Sequence, residues 1–130
     1  MAYAAVVAGL ALLEYIVIVM LTGRARGTYK VEAPATTGHP VFERWFRVQQ
    51  NTLEQLVVFF PALFLCATYF SGKAAAGLGL VFVIGRGLYA QGYVADPAKR
   101  GPGFAISALA NLLLTLAGLF GALAFAARGA

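Results

Sequence analysis

Apolar residues fall in four long blocks along the 130-residue chain, with polar residues gathered between them. The first block runs from about Tyr3 to Leu21, and Glu14 is its only charge. The second is apolar from Leu56 to Phe70, and a helical repeat carries it back to about Phe42. The third covers about Ala74 to Tyr93, interrupted by Arg86; the fourth covers about Phe104 to Ala127 without a charge. A helix needs roughly 20 apolar residues to cross the hydrocarbon core of a bilayer. Blocks one, three and four meet this directly. Block two meets it if its polar beginning continues the same helix into water. The pattern predicts an all-α integral membrane protein: a single domain over residues 1–130, built as a bundle of four transmembrane helices. Connections are short, apart from about twenty residues between the first two helices. The first block lacks a basic start and carries Glu14, so it reads as a retained helix rather than a cleaved signal.

Composition agrees with the blocks. Hydrophobic residues make up 61% of the chain and charged residues 12%, against about 45–50% and about 25% in a soluble domain. The net charge of +5 would favour nucleic acid on a soluble protein. Here the basic residues sit between apolar blocks, so they are read as membrane-flanking, with no nucleic-acid partner. Arg24, Arg26, Lys30, Arg44 and Arg47 flank the first loop, and Lys99 and Arg100 the third. The opposite side has only Lys73 and Arg128. The positive-inside rule then places the basic loops in the cytoplasm and both termini outside. An alanine-rich, loop-poor chain without an endoplasmic-reticulum retention tail points to a bacterial inner membrane. One cysteine, Cys66, and one histidine, His39, offer neither a disulfide framework nor a multi-residue metal site.

Within the blocks, the polar residues carry the information, because charge near a bilayer is costly. Arg44, Arg47, Asn51 and Glu54 are spaced three, four and three, which places them on one helix face with Gln55 at its shoulder. Arg86, Tyr89 and Tyr93 form a second stripe, and Arg100 begins the next loop on the same side. Together they predict a polar, net-positive crevice at one end of the bundle. Guanidinium groups suit carboxylates, Glu54 suits an ammonium group, and Asn51 and Gln55 suit amides. A short acidic peptide such as glutathione fits that inventory, as does a simple belt of snorkelling Arg, Tyr and Gln with Glu54 paired to Arg47 or Arg86.

Other polar residues have structural readings. Glu14 is expected to hydrogen-bond Asn111 or another helix. Cys66 is expected to pack in the core, and His39 to sit in the first loop. Pro61 is expected to kink the second helix. Gly77, Gly79, Gly85 and Gly87 are expected to allow close helix contact, and Ser107, Asn111 and Thr115 to form a packing face. Gly101-Pro102-Gly103 reads as a break before the fourth helix.

The segment Phe42-Glu43-Arg44-Trp45-Phe46-Arg47-Val48-Gln49-Gln50-Asn51-Thr52-Leu53-Glu54 resembles the second-helix signature of the MAPEG family, membrane-associated proteins of eicosanoid and glutathione metabolism. Every fixed position of F-x-R-x-x-R-x-x-x-N-x-x-E matches. Arg86 to Tyr93 matches the family's R-x-x-Y-x-x-G-Y, and Arg100 follows seven residues later. The resemblance covers nearly the whole chain. It implies a homotrimer in which glutathione lies between subunits near the cytoplasmic side. It also implies that Arg26, Arg47, Gln49, Asn51, Glu54, Tyr89, Tyr93 and Arg100 bind glutathione, Arg26 by a looser loop alignment. Arg100 would stabilise the thiolate, with Tyr89 and Tyr93 beside it as catalytic residues. Gln55 and Gly27 depart from residues of the leukotriene-forming members, which argues against that reaction. The expected activity is a membrane glutathione transferase, with or without peroxidase action. Glutathione would be its co-substrate, the second substrate a lipophilic electrophile, and no metal is called for. The alternatives are a non-catalytic lipid- or glutathione-binding scaffold of the family, and a small proton-coupled exporter using Glu14.

Overall fold

The computed structural model describes residues 1–129 as four long helices. They are α1 (Ala2–Thr28), α2 (Pro40–Tyr69), α3 (Gly72–Ala95) and α4 (Gly101–Ala127), with one 3-10 turn at Pro97–Lys99. All four are long and apolar enough to cross a membrane. α2, at 30 residues, is about 45 Å long at 1.5 Å per residue, so it outruns a hydrocarbon core of about 30 Å.

Two boundaries differ from the sequence pattern, each for a local reason. α1 continues past Leu21 to Thr28, which leaves only Tyr29–His39 as the first connection. The apolar run ends at Leu21, but the helix does not. Thr22 Oγ1 donates to the Ile18 carbonyl at 2.8 Å, and Ala25 packs with Val31 and Phe42 in a small cluster beyond the main core. At the other end, Gly101, Pro102 and Gly103 belong to the first turn of α4 rather than to a break before it. Proline suits that turn, because its missing N–H would have had no helical partner there. α2 runs unbroken through Pro61.

The starts of α2 and α3 are capped by side chains. His39 Nδ1 accepts from Val41 N at 3.2 Å at the head of α2, and its ring stacks on Tyr29. Ser71 caps α3 by accepting from Ala74 N. These bonds satisfy donors that the first turn leaves free.

α2 and α3 form the central pair, with α1 packed on one side of it and α4 on the other. The main core holds Phe59, Leu63, Cys66, Phe82 and Leu114, all fully buried, and Phe59 stacks on Phe82 at 4.0 Å between centroids. Close helix approach depends on glycine at Gly85, where a Cβ would lie 2.9 Å from the Ser107 backbone nitrogen. Gly79 is similarly tight against Val7, whereas Gly77 faces open space. On the outside, Leu13, Met20, Val57, Ile84, Leu112 and Phe120 are largely exposed. An apolar surface of this kind is expected where lipid, not water, is the solvent.

Candidate functional site

Three elements converge at the end of the bundle that carries the basic loops. α2 supplies Arg47, Asn51 and Glu54, one turn apart along one face. α3 supplies Tyr89 and Tyr93. Arg100, at the junction between the 3-10 turn and α4, completes the ring. Together these six residues line a cavity of about 530 Å³, with Gln50, Gly101 and Phe104.

Behind the lining residues Asn51 and Tyr89 lies Arg86. It is completely buried and donates from Nη2 to Asn51 Oδ1 at 2.6 Å and to Thr52 Oγ1 at 2.9 Å. Nη1 donates to Ser107 Oγ at 3.1 Å, and the guanidinium carbon lies 4.2 Å from the Tyr89 ring centroid. One side chain thus ties α2, α3 and α4 together and backs the Tyr89 ring by a cation–π contact. A guanidinium donates only, so the atom it meets on Asn51 has to be the oxygen. That fixes the Asn51 amide and leaves Nδ2 as the group it offers to the cavity. Arg86 Nε is buried without a partner.

The position of Arg100 depends on close backbone packing. A Cβ on Gly103 would overlap the Tyr89 backbone, and one on Gly92 would lie 2.7 Å from the Lys99 carbonyl oxygen. The two glycines let the start of α4 and the preceding turn lie directly on α3. Arg100 itself is exposed and donates from Nη1 to the Pro97 carbonyl at 3.0 Å.

Some sequence-predicted residues lie elsewhere. Arg44 donates to the Val94 carbonyl at 3.1 Å and lines an adjoining depression with Thr36, Thr37 and Glu43. Gln55 accepts from Asn111 Nδ2, at its backbone oxygen (3.2 Å) and at Oε1 (3.1 Å), so it braces α4 instead of reading a ligand. Asn111 is therefore engaged with Gln55 rather than with Glu14. Arg26 lies in the last turn of α1, where Nη1 donates to Val31 O and Ala35 O at 3.1 and 2.8 Å and the guanidinium sits over Phe42. In its own chain it braces the first loop, outside the cavity. Gln49 is also outside it, while its neighbour Gln50 lines the wall. Gln50 is three residues from Arg47 and four from Glu54, so the stripe that located those two pointed to it as well. Ser107 and Asn111 are buried as expected, and Thr115 Oγ1 bonds the Asn111 carbonyl.

Donor chemistry in the cavity matches a zwitterionic, amide-containing anion. Arg47 and Arg100 supply cations, Glu54 an anion and Asn51 an amide donor, while Tyr89 and Tyr93 supply hydroxyls. Among the described residues no cluster of His, Cys, Asp and Glu could hold a metal ion.

Four membrane-spanning helices around such a site define a class of small multi-pass membrane proteins, and the chain belongs to the MAPEG family, whose model matches residues 4–120. It is 48% identical over 115 residues to an uncharacterized protein of Synechocystis sp., covering 88% of this chain and 84% of that one. Over 99 residues it is 46% identical to microsomal glutathione S-transferase 2 of Homo sapiens, with 76% and 67% covered. Over 96 residues it is 38% identical to leukotriene C4 synthase of Bos taurus, with 73% and 64% covered.

Proposed function

We propose that the protein is a membrane-bound glutathione transferase that conjugates glutathione to lipophilic electrophiles, or uses it to reduce their peroxides. The observation that carries this reading is the single cavity joining Arg47, Asn51, Glu54, Tyr89, Tyr93 and Arg100. Similarity to microsomal glutathione S-transferase 2 supports it. Arg47 and Asn51 hold the peptide carboxylate and amide groups, and Glu54 takes the amino group. Arg100 faces the thiol. A free thiol has a pKa of about 8.5, and the thiolate is the nucleophile. An adjacent cation favours the charged form, so Arg100 raises the reactive fraction near neutral pH. Tyr89 or Tyr93 donates a hydrogen bond to the same sulfur. The electrophile arrives from the bilayer.

The functional unit in this reading is a homotrimer. Gln50, Glu54, Val57, Pro61 and Phe64 follow a four-three-four-three spacing along α2, and all are exposed. Such a seam suits association of α2 with copies of itself. Arg26 and Gln49, which lie outside their own chain's cavity, would then contribute across the subunit boundary. By the positive-inside rule the basic loops support a cytoplasm-facing cavity, in what this reading takes to be a bacterial inner membrane.

The test is a glutathione titration of detergent-solubilised protein, following thiolate absorbance near neutral pH. Saturable binding with a thiolate signal is expected, and Asn51→Ala is expected to weaken the binding. If wild-type protein showed no binding, the transferase reading would fall.

A further inference from the structure

A second cavity, of about 770 Å³, lies on the other side of the central pair, in the cleft between α1 and α3. Its walls are apolar, formed by Val17, Ile18, Ile84 and Leu88, with Trp45 and Ala95 also on its lining. Val17, Ile84 and Leu88 are exposed on the lipid-facing surface, so the cleft opens toward the bilayer rather than toward the polar cavity. Two polar side chains enter it: Glu14 from α1, and Gln91 from α3.

Glu14 lies midway along the first apolar block, where an unpartnered carboxylate is costly and marks a functional site by default. Arg86 is the cation whose field reaches it, but the Arg86 hydrogen bonds go to Asn51, Thr52 and Ser107 on other helices. Glu14 faces α3 at Gly87, where a Cβ would lie 3.4 Å from Oε2. The carboxylate therefore looks onto bare backbone, and the cleft is open at that point. Gln91 lies one helical turn further along the same face as Gly87.

We propose that this cleft is a binding site for a lipophilic amine, whose ammonium group pairs with Glu14 and whose apolar body lies against Ile18, Ile84 and Leu88. Charge complementarity selects that occupant. The walls accept any apolar body, but an acceptor-only carboxylate discriminates for a donor cation. Gln91 supplies an amide oxygen for a second ammonium N–H. From Glu14 to Leu21, along the α1 wall, is two turns, or about 10 Å at 1.5 Å per residue. That length suits a compact amine rather than a full phospholipid. The proposal does not rest on the glutathione reading, since the two cavities share no lining residue.

Trp45 is the only tryptophan and lines the cleft, so it provides a built-in fluorescence donor. The experiment measures energy transfer from Trp45 to a dansyl-labelled alkylamine, with the protein in nanodiscs of zwitterionic lipid. Saturable transfer is expected for the amine and none for its N-acetylated, uncharged form. Glu14→Gln is expected to weaken the amine by about tenfold or more, as loss of a charge pair in hydrocarbon implies. Gly87→Leu, which fills the cleft while keeping the carboxylate, is expected to weaken it too and serves if Glu14→Gln does not fold. The proposal is overturned by equal binding of the amine and acetylated probes, or by full affinity in folded Glu14→Gln or Gly87→Leu. It is equally overturned if wild type shows no saturable transfer, including the case in which a second copy of the chain covers the cleft.

Discussion

Arg86 Nη2 lies 2.6 Å from Asn51 Oδ1, a hydrogen bond between α3 and α2 just behind the lining of the polar cavity. One buried cation thus sets the amide orientation of a residue that lines the cavity. The same guanidinium holds Thr52 and Ser107, so site geometry and bundle stability depend on one side chain. Arg86→Leu leaves two buried hydroxyls, on Thr52 and Ser107, and the half-buried Asn51 oxygen without their donor. Stability is expected to fall, by about 1–3 kcal/mol for each buried acceptor left unsatisfied. Thermal unfolding in detergent measures this. Arg86→Lys keeps the charge but loses the planar fork. It is expected to fold with lower stability and to raise the KM for glutathione more than it lowers kcat.

Arg100 is exposed and its side-chain hydrogen bond, to the Pro97 carbonyl, is local, so Arg100→Ala is expected to leave the unfolding temperature unchanged. Conjugation is expected to drop sharply while glutathione binding is largely retained. If Arg100 faces the thiol as proposed, its cation lowers the thiol pKa, and wild-type activity is expected to rise with pH at a point below the free-thiol value of about 8.5. In the variant that point is expected to move up toward the free-thiol value. A pH–rate profile with one model electrophile checks both, and an unchanged profile would remove Arg100 from the chemistry.

Gly103 packs with its Cα against the Tyr89 backbone. Gly103→Ala adds a Cβ where there is no room, and the neighbour is main chain that cannot rotate away. The first turn of α4 has to move off α3 and carry Arg100 with it. A loss of about 1–3 kcal/mol is expected, in the range of overpacked sites, together with reduced turnover. Gly101→Ala, whose Cβ meets nothing within 4 Å, serves as the control for unfolding temperature.

Arg26 holds the first loop through the Val31 and Ala35 carbonyls. Arg26→Ala is expected to speed proteolysis within residues 32–38, measured by limited digestion and mass spectrometry. If the assembly brings Arg26 to a neighbouring subunit's cavity, the KM for glutathione rises in the same variant.

Val57 is 69% exposed at the middle of the exposed seam on α2. Val57→Lys places a charge there without touching the chain's own core. The variant is expected to run as a smaller species by native mass spectrometry or light scattering, with its helix content unchanged. An unchanged mass would move the subunit contact to another face.

Much of the fold was legible because hydrocarbon imposes one rule on every segment. Backbone polar groups in a bilayer need internal partners, so four apolar runs of sufficient length become four helices. The apolar count failed at the ends. α1 runs on to Thr28 because a helix leaving the membrane needs no apolar residues, only local bonds such as that of Thr22. The stripe spacing on α2 located Arg47, Asn51 and Glu54, because residues three and four apart share a face whatever surrounds them. It could not separate Arg44, which turns to the Val94 carbonyl, from Arg47, which turns to the cavity.

By itself, the sequence determined the four helices, their order, the end of the bundle that carries positive charge, and the polar stripes on α2 and α3. Each of these follows from periodicity and transfer free energy along a single helix. Only the tertiary structure decided which polar residues line the cavity and which face one another. Arg86 was read as part of the crevice stripe, but it is fully buried and bonded across three helices. Gln55 turned to Asn111 for the same reason. A polar side chain inside an apolar bundle pairs with whatever donor or acceptor packing brings within hydrogen-bond reach, and that distance depends on how neighbouring helices approach.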